Sequence, residues 1–146
     1  AQASIMHDVG KIAISDLILN KPGKLTDEEF EIMKGHTVMG CQVLEQIPQY
    51  KKNRLYQYAY DICRHHHERW DGKGYPDGLK GREITVWAQV VSVADVFDAL
   101  TNKRVYKPAI PVPEAMDMIF TGQCGAFNPE LLEALEKILP QIEGKI

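Results

Sequence analysis

Residues 86–100 read Val86-Trp87-Ala88-Gln89-Val90-Val91-Ser92-Val93-Ala94-Asp95-Val96-Phe97-Asp98-Ala99-Leu100, and this stretch decides the fold. Its β-branched residues suit a strand. Its length favours a helix, because strands usually stop after a few residues. Apolar side chains run nearly all round that helix, which predicts deep burial. Asp95 stands in the middle of it. An ionised carboxylate in an apolar helix is costly unless it is paired or bound to a metal.

Helical signals continue on both sides of this stretch. Upstream, residues 2–10 read as the tail of a helix that ends near Gly10. Ser15 to Leu19 forms a short turn, and Lys21-Pro22-Gly23-Lys24 is a second turn. Thr26, with Glu29 three residues on, has the capping-box pattern and opens a long helix that Pro48 stops. A further helix spans about Asn53 to His67, with Tyr56, Tyr60 and Cys63 at helical spacing. Downstream, Pro111 to about Phe120 is helical, and Asn128-Pro129 starts a last helix that ends near Leu139. Between helices lies a long loop, Asp71 to Glu83, which holds Gly72, Gly74, Gly78 and Gly81. Loops of that length are functional or disordered, and the aromatic and charged content argues for function. It is also the only candidate for a short strand pair. The expectation is an all-α domain over residues 1–146. Ala1 to His7 shows no helix-start signal, so the chain is expected to be a fragment whose N-terminal helices are missing.

Composition bounds the partners. The chain has 146 residues, 45% hydrophobic and 25% charged, as one soluble domain does. A net charge of −3 provides no general field for nucleic acid, so DNA is not an expected partner and an anionic ligand needs a local site. No run is apolar enough to span a membrane, and no signal peptide is evident. Cys41, Cys63 and Cys124 show no CxxC spacing, which suits reduced thiols in a cytoplasmic protein.

The chain's five histidines lie at positions 7, 36, 65, 66 and 67. His7 precedes Asp8, His36 sits in the long helix, and Glu68 follows His66-His67. Imidazole and carboxylate together suit iron, manganese, zinc or cobalt. Neighbouring side chains on a helix diverge by about 100°, so His7 and Asp8 can bracket a two-metal centre with the carboxylate bridging. Such a centre can activate water at neutral pH and stabilise both oxygens of an in-line phosphoryl displacement. Lys11, four residues after His7, can bring a positive charge to the same face. Lys103, Arg104 and Lys107 form a cationic run suited to a second phosphate or a guanine edge. Taken singly, each piece has an ordinary explanation: a satisfied core histidine, a solvated basic run, a capping Asp98. Together they are far more specific.

The sequence resembles the HD-GYP domain, a branch of the HD phosphohydrolase superfamily. The matching stretches include His7-Asp8-Val9-Gly10-Lys11, Leu19-Asn20-Lys21-Pro22-Gly23-Lys24, Met33-Lys34-Gly35-His36 and His66-His67-Glu68-Arg69-Trp70-Asp71-Gly72-Lys73-Gly74-Tyr75-Pro76. They continue through Val93-Ala94-Asp95-Val96-Phe97-Asp98 and Phe127-Asn128-Pro129. The resemblance implies an HD-domain helical bundle with a long Gly-rich loop. It implies a phosphodiesterase that opens cyclic di-GMP to pGpG or GMP in bacterial signalling, with some members acting on cyclic GMP-AMP. It implies metal ligands at His7, Asp8, His36, His66, His67 and Asp95 for two or three divalent ions, iron or manganese, with Asp8 bridging. Asp8 and Lys11 then serve catalysis, and Lys11 contacts phosphate. Gly74, Tyr75 and Pro76 form the loop that names the family and a docking point for a partner. Implied partners are a GGDEF-type diguanylate cyclase, an upstream sensory or receiver domain, and a second copy in a homodimer. The family supplies a further histidine, sometimes with a glutamate, from a helix before the His-Asp pair, and often has arginine where Lys107 stands. A catalytically impaired module that senses the dinucleotide or docks a cyclase is the competing expectation. An HD nucleotidase is a third, which the Gly74-Tyr75-Pro76 loop opposes.

Overall fold

The computed structural model describes residues 2–48, 52–103 and 108–143. Two 3₁₀ segments, Ala3–Met6 and Val9–Ala13, precede seven helices. These are α1 (Asp16–Leu19), α2 (Asp27–Lys34), α3 (His36–Glu45), α4 (Arg54–His65), α5 (Val86–Thr101), α6 (Val112–Phe120) and α7 (Pro129–Glu143). A 3₁₀ turn, Gly81–Glu83, lies ahead of α5. Among the described residues there is no strand, and the fold is all-α as expected.

The start signals read from the sequence act as caps. The Thr26 hydroxyl accepts from the Glu29 amide while the Glu29 carboxylate accepts from the Thr26 amide. Asn53 caps α4 through the Leu55 amide, and Asn128 caps α7 through the Glu130 amide. Apolar faces then pack into two clusters. One joins Ala3 to Cys41 and Leu44 of α3 and to Ala59, Ile62 and Cys63 of α4. The other joins Val93 and Leu100 of α5 to Ala115, Met116 and Ile119 of α6 and to Phe127. Contact between α4 and α5 links the halves.

Four expectations need correction. The tail at residues 2–10 is wound as 3₁₀, with His7 donating to Ser4 O and Lys11 to Asp8 O through their amides. The tighter winding brings residues three apart into register. The helix expected from Thr26 to Pro48 breaks at Gly35 into α2 and α3. Gly35 keeps a right-handed helical backbone there (φ −57°, ψ −20°), so the hydrophobic pattern carries no trace of the break. The third correction is that α4 ends at His65, with His66 and His67 just beyond it. Finally, α5 is not buried all round: Val86 is 66% and Val90 46% exposed, on a face that borders an open groove with Leu55 and Tyr58.

One close approach sets the site. The second 3₁₀ segment lies flush on α3, and a Cβ on Gly10 would collide with the His36 carbonyl oxygen and the Gly40 amide. Only glycine permits that spacing. It places Asp8 directly over the N-terminal end of α3.

Candidate metal centre

Four chain segments bring His7, Asp8, His36, His66, His67 and Asp95 together. His7 and Asp8 come from the 3₁₀ region, His36 opens α3, His66 and His67 follow α4, and Asp95 lies on α5. His7 Nε2 is 3.3 Å from Asp8 Oδ2 and 3.6 Å from Asp95 Oδ1. His36 Nε2 is 3.4 Å from Asp8 Oδ1, and His66 Nε2 is 3.8 Å from the same oxygen. Two sets can each hold an ion, His7-Asp8-His66 and His36-His66-His67, with ligand atoms within 4.8 Å of one another in each. Both draw on His66.

The imidazoles are oriented from behind. The Nδ1 atoms of His7 and His36 lie 2.7 Å from Ser4 O and from Met33 O. His66 Nδ1 lies 3.0 Å from Ile62 O and 3.1 Å from Cys63 O. A carbonyl only accepts, so each Nδ1 carries the proton and donates. In the neutral ring Nε2 is then a bare lone pair, and it points inward. Such outer anchoring fixes tautomer and direction in metal-ligating histidines generally.

Electrostatics sharpen the picture. Burial holds His36 below the ordinary imidazole range. Burial, with His7 and His36 nearby, holds His66 down to about 4. Burial and the neighbouring His66 also lower His67. These rings are therefore neutral at pH 7. The two Nε2 lone pairs of His36 and His66 face each other at 3.5 Å. Asp8 Oδ1 joins them, buried and with no hydrogen-bond partner among the described residues. Burial pushes the Asp8 carboxyl up, but His7 and Lys11 outweigh it and keep it ionised. Three electron-rich atoms thus converge with no proton among them, an arrangement that costs free energy unless a cation sits between them.

The other edge already holds a cation. Hydrogen bonds to Asp8 and then Asp95 raise His7 to about 10, so His7 is an imidazolium between two carboxylates. Burial pushes Asp95 up, but His7 and His67 hold it below the usual carboxylate range. Lys11 does not reach out over the centre. Its Nζ lies 2.5 Å from Asp8 Oδ2, because 3₁₀ winding puts it above Asp8 rather than above His7. His7, Asp8 and Asp95 border the open groove of about 1160 Å³ beside α5.

Lys103 is exposed beyond the end of α5, and Arg104 and Lys107 lie outside the described residues. Of Gly74, Tyr75 and Pro76, the tyrosine borders the centre: its ring stacks on His67 at 4.8 Å and 23°. Sequence reasoning missed Glu68. It is 3% exposed, and its carboxylate accepts from the amides of Asp77, Gly78 and Leu79 at 2.8, 3.1 and 3.0 Å. The available signal was one acid directly before a glycine-rich loop with amides to satisfy.

An all-helical fold around a cluster of histidines and aspartates that could hold an ion is the architecture of one protein class. The chain matches the HD domain over residues 1–131 and belongs to that family, whose members are metal-dependent. It is 46% identical over 140 residues to a cyclic di-GMP phosphodiesterase of Thermotoga maritima, covering 96% of this chain and 37% of that protein. It is 43% identical over 141 residues to a cyclic di-GMP phosphodiesterase response regulator of Xanthomonas campestris, covering 97% and 36%. A 3'3'-cGAMP-specific phosphodiesterase of Vibrio cholerae is 43% identical over 133 residues, covering 91% and 25%. The chain thus spans little more than a third of the first two relatives. Among the described residues no helix is long and apolar enough to cross a membrane.

Proposed function

We propose that this chain is the catalytic module of a metal-dependent phosphodiesterase that hydrolyses cyclic di-GMP to pGpG or GMP. The observation that carries the reading is the convergence of His36 Nε2, His66 Nε2 and Asp8 Oδ1 on one point with no hydrogen between them. The donor set, imidazole nitrogens and carboxylate oxygens, fits iron or manganese. His36, His66 and His67 with Asp8 Oδ1 would hold one divalent ion. His7, Asp95 and Asp8 Oδ2 would hold a second, with Asp8 shared. When bound, such a pair supplies an activated nucleophile at neutral pH and neutralises charge on the phosphoryl oxygens.

The chain's own residues prepare that role. The backbone anchors at Nδ1 keep the Nε2 lone pairs aimed at the centre. Asp8 divides its two oxygens between the two halves. Lys11, paired to Asp8 Oδ2, keeps a positive charge at the edge of the cluster, where it would help neutralise a phosphate. His7 must give up its proton to serve as a ligand, and that proton occupies the place of a cation until then. The names of the relatives support a cyclic dinucleotide as substrate.

The test is hydrolysis of cyclic di-GMP by the chain purified with manganese or ferrous iron, with metal content measured alongside. Turnover that disappears in Asp8→Ala together with bound metal is expected. Binding of the dinucleotide by metal-replete protein without cleavage would overturn the catalytic reading in favour of a sensor. The same assay with 3'3'-cyclic GMP-AMP decides between the two substrates.

A further inference from the structure

The anchoring of the histidines has one exception. His7, His36 and His66 each donate to a backbone carbonyl. Among the described residues no oxygen accepts from the His67 ring. What fixes it is a face: the Tyr75 ring lies on it at 4.8 Å, tilted by only 23°. The Tyr75 amide also donates to His67 O at 3.3 Å, so ring and backbone are tied to the same residue.

Tyr75 is itself held with unusual care. Before it, a Cβ on Gly74 would collide with the Arg69 amide and the Glu68 Cα, so the chain runs flush over residues 68–69 there. After it, Glu68 gathers the amides of Asp77, Gly78 and Leu79 from inside. From outside, Arg64 donates twice to Asp77 at 2.7 Å, and His65 Nε2 lies 2.9 Å from the same carboxylate. The ring also meets Phe30 edge-to-face at 6.3 Å and the Lys34 ammonium at 5.6 Å. The Tyr75 hydroxyl has no hydrogen-bond partner among the described residues. The fold therefore fixes the ring and makes no use of the oxygen.

We propose that Tyr75 is a positioning residue for His67: its ring sets the plane of the imidazole so that a ring nitrogen faces His36 and His66. This rests on the reading of His67 as a metal ligand. It assigns to the tyrosine the task that carbonyls perform for the other three histidines. Second-sphere partners of metal ligands typically carry about 10- to 100-fold in metal affinity.

The experiment compares wild type, Tyr75→Phe and Tyr75→Leu, with histidine labelled in ¹³C and ¹⁵N. The chain has five histidines, so ring signals are few enough to assign. In metal-free protein the His67 ring protons should lie upfield in wild type and Tyr75→Phe, and move downfield in Tyr75→Leu. Manganese titration should give equal affinity in wild type and Tyr75→Phe, and affinity about 10- to 100-fold weaker in Tyr75→Leu. Loss of the ring current moves these signals whatever the role of Tyr75, so the affinity decides: a merely structural role would lower stability and leave manganese affinity of the folded variant unchanged. If Tyr75→Leu does not fold, Glu68→Gln loosens the loop with the ring intact and should move the same His67 signals by less. Undiminished manganese affinity in the folded leucine variant would overturn the assignment. A wild-type chain that binds neither manganese nor ferrous iron would instead remove the metal reading itself, and this role with it.

Discussion

Replacing Glu68 by alanine should destabilise the chain by about 3 kcal/mol. The carboxylate is 3% exposed and takes three amide hydrogen bonds, between 2.8 and 3.1 Å, from consecutive loop residues. A hydrogen bond to a charged group contributes about 1.5–3 kcal/mol, and a buried donor left bare costs about 1–3 kcal/mol. Asp77 and Gly78 are exposed residues, so water recovers part of the loss. That argues for the low end, about 1 kcal/mol per amide. In a domain of this size the shift in melting temperature is roughly 10 °C. Urea denaturation followed by circular dichroism gives the free energy. Hydrogen exchange at the amides of residues 77–79 localises it. Glu68→Gln keeps one acceptor oxygen and should fall between wild type and alanine. A loss under about 1 kcal/mol, with those amides as protected as in wild type, would refute the view that Glu68 is the loop's internal anchor.

Three further outcomes follow from the same contacts. Gly10→Ala forces a methyl into the His36 carbonyl and the Gly40 amide, both backbone; the expected cost is about 3 kcal/mol or more in urea unfolding, with manganese binding lost as His36 shifts. Burial pushes the Asp61 carboxyl up, but bonds from His65, Thr85 and Trp87 hold it below the usual carboxylate range. Its contribution is therefore full above that range and is lost as pH falls through the lower, folded one; the gap in melting temperature between wild type and Asp61→Asn should narrow steadily as pH falls below that range. Arg64→Ala removes a double hydrogen bond to Asp77, but both side chains are about 30% exposed. The loss should stay under about 1 kcal/mol and shrink in high salt, and a larger, salt-independent loss would count against a surface clamp.

Much of this was legible in the sequence, for reasons that differ by element. The caps at Thr26, Asn53 and Asn128 depend on neighbours two or three residues away, and their effect is readable locally. Asp95 was legible because a carboxylate inside an apolar helix demands a partner, and His7 supplies one at 3.6 Å. The full burial expected for α5 failed at Val86 and Val90. A hydrophobic pattern shows which residues avoid water, not whether a neighbour covers them. The break at Gly35 was invisible because the backbone at that residue stays helical. The stack of Tyr75 on His67 joins a loop to a helix end, and no periodicity reports such a contact.

That hidden break explains the site better than the list of ligands does. His7 caps the first 3₁₀ segment, His36 follows the end of α2, and His66 caps α4. Each of these histidines finds its acceptor three or four residues back, among the carbonyls of a last turn. The last carbonyls of a helix lack the amide partners that interior ones have. A histidine placed just there can take one at Nδ1 and turn Nε2 outward without a long-range contact. At the end of α2 the Met33 carbonyl takes His36 Nδ1 in this way at 2.7 Å. The break at Gly35 is thus the means by which a local rule orients a ligand. His67 stands one residue farther from the end of α4, where no last-turn carbonyl takes its ring nitrogen. For that histidine the orienting group comes from the loop, as a ring, and Glu68 holds the loop in place from beneath.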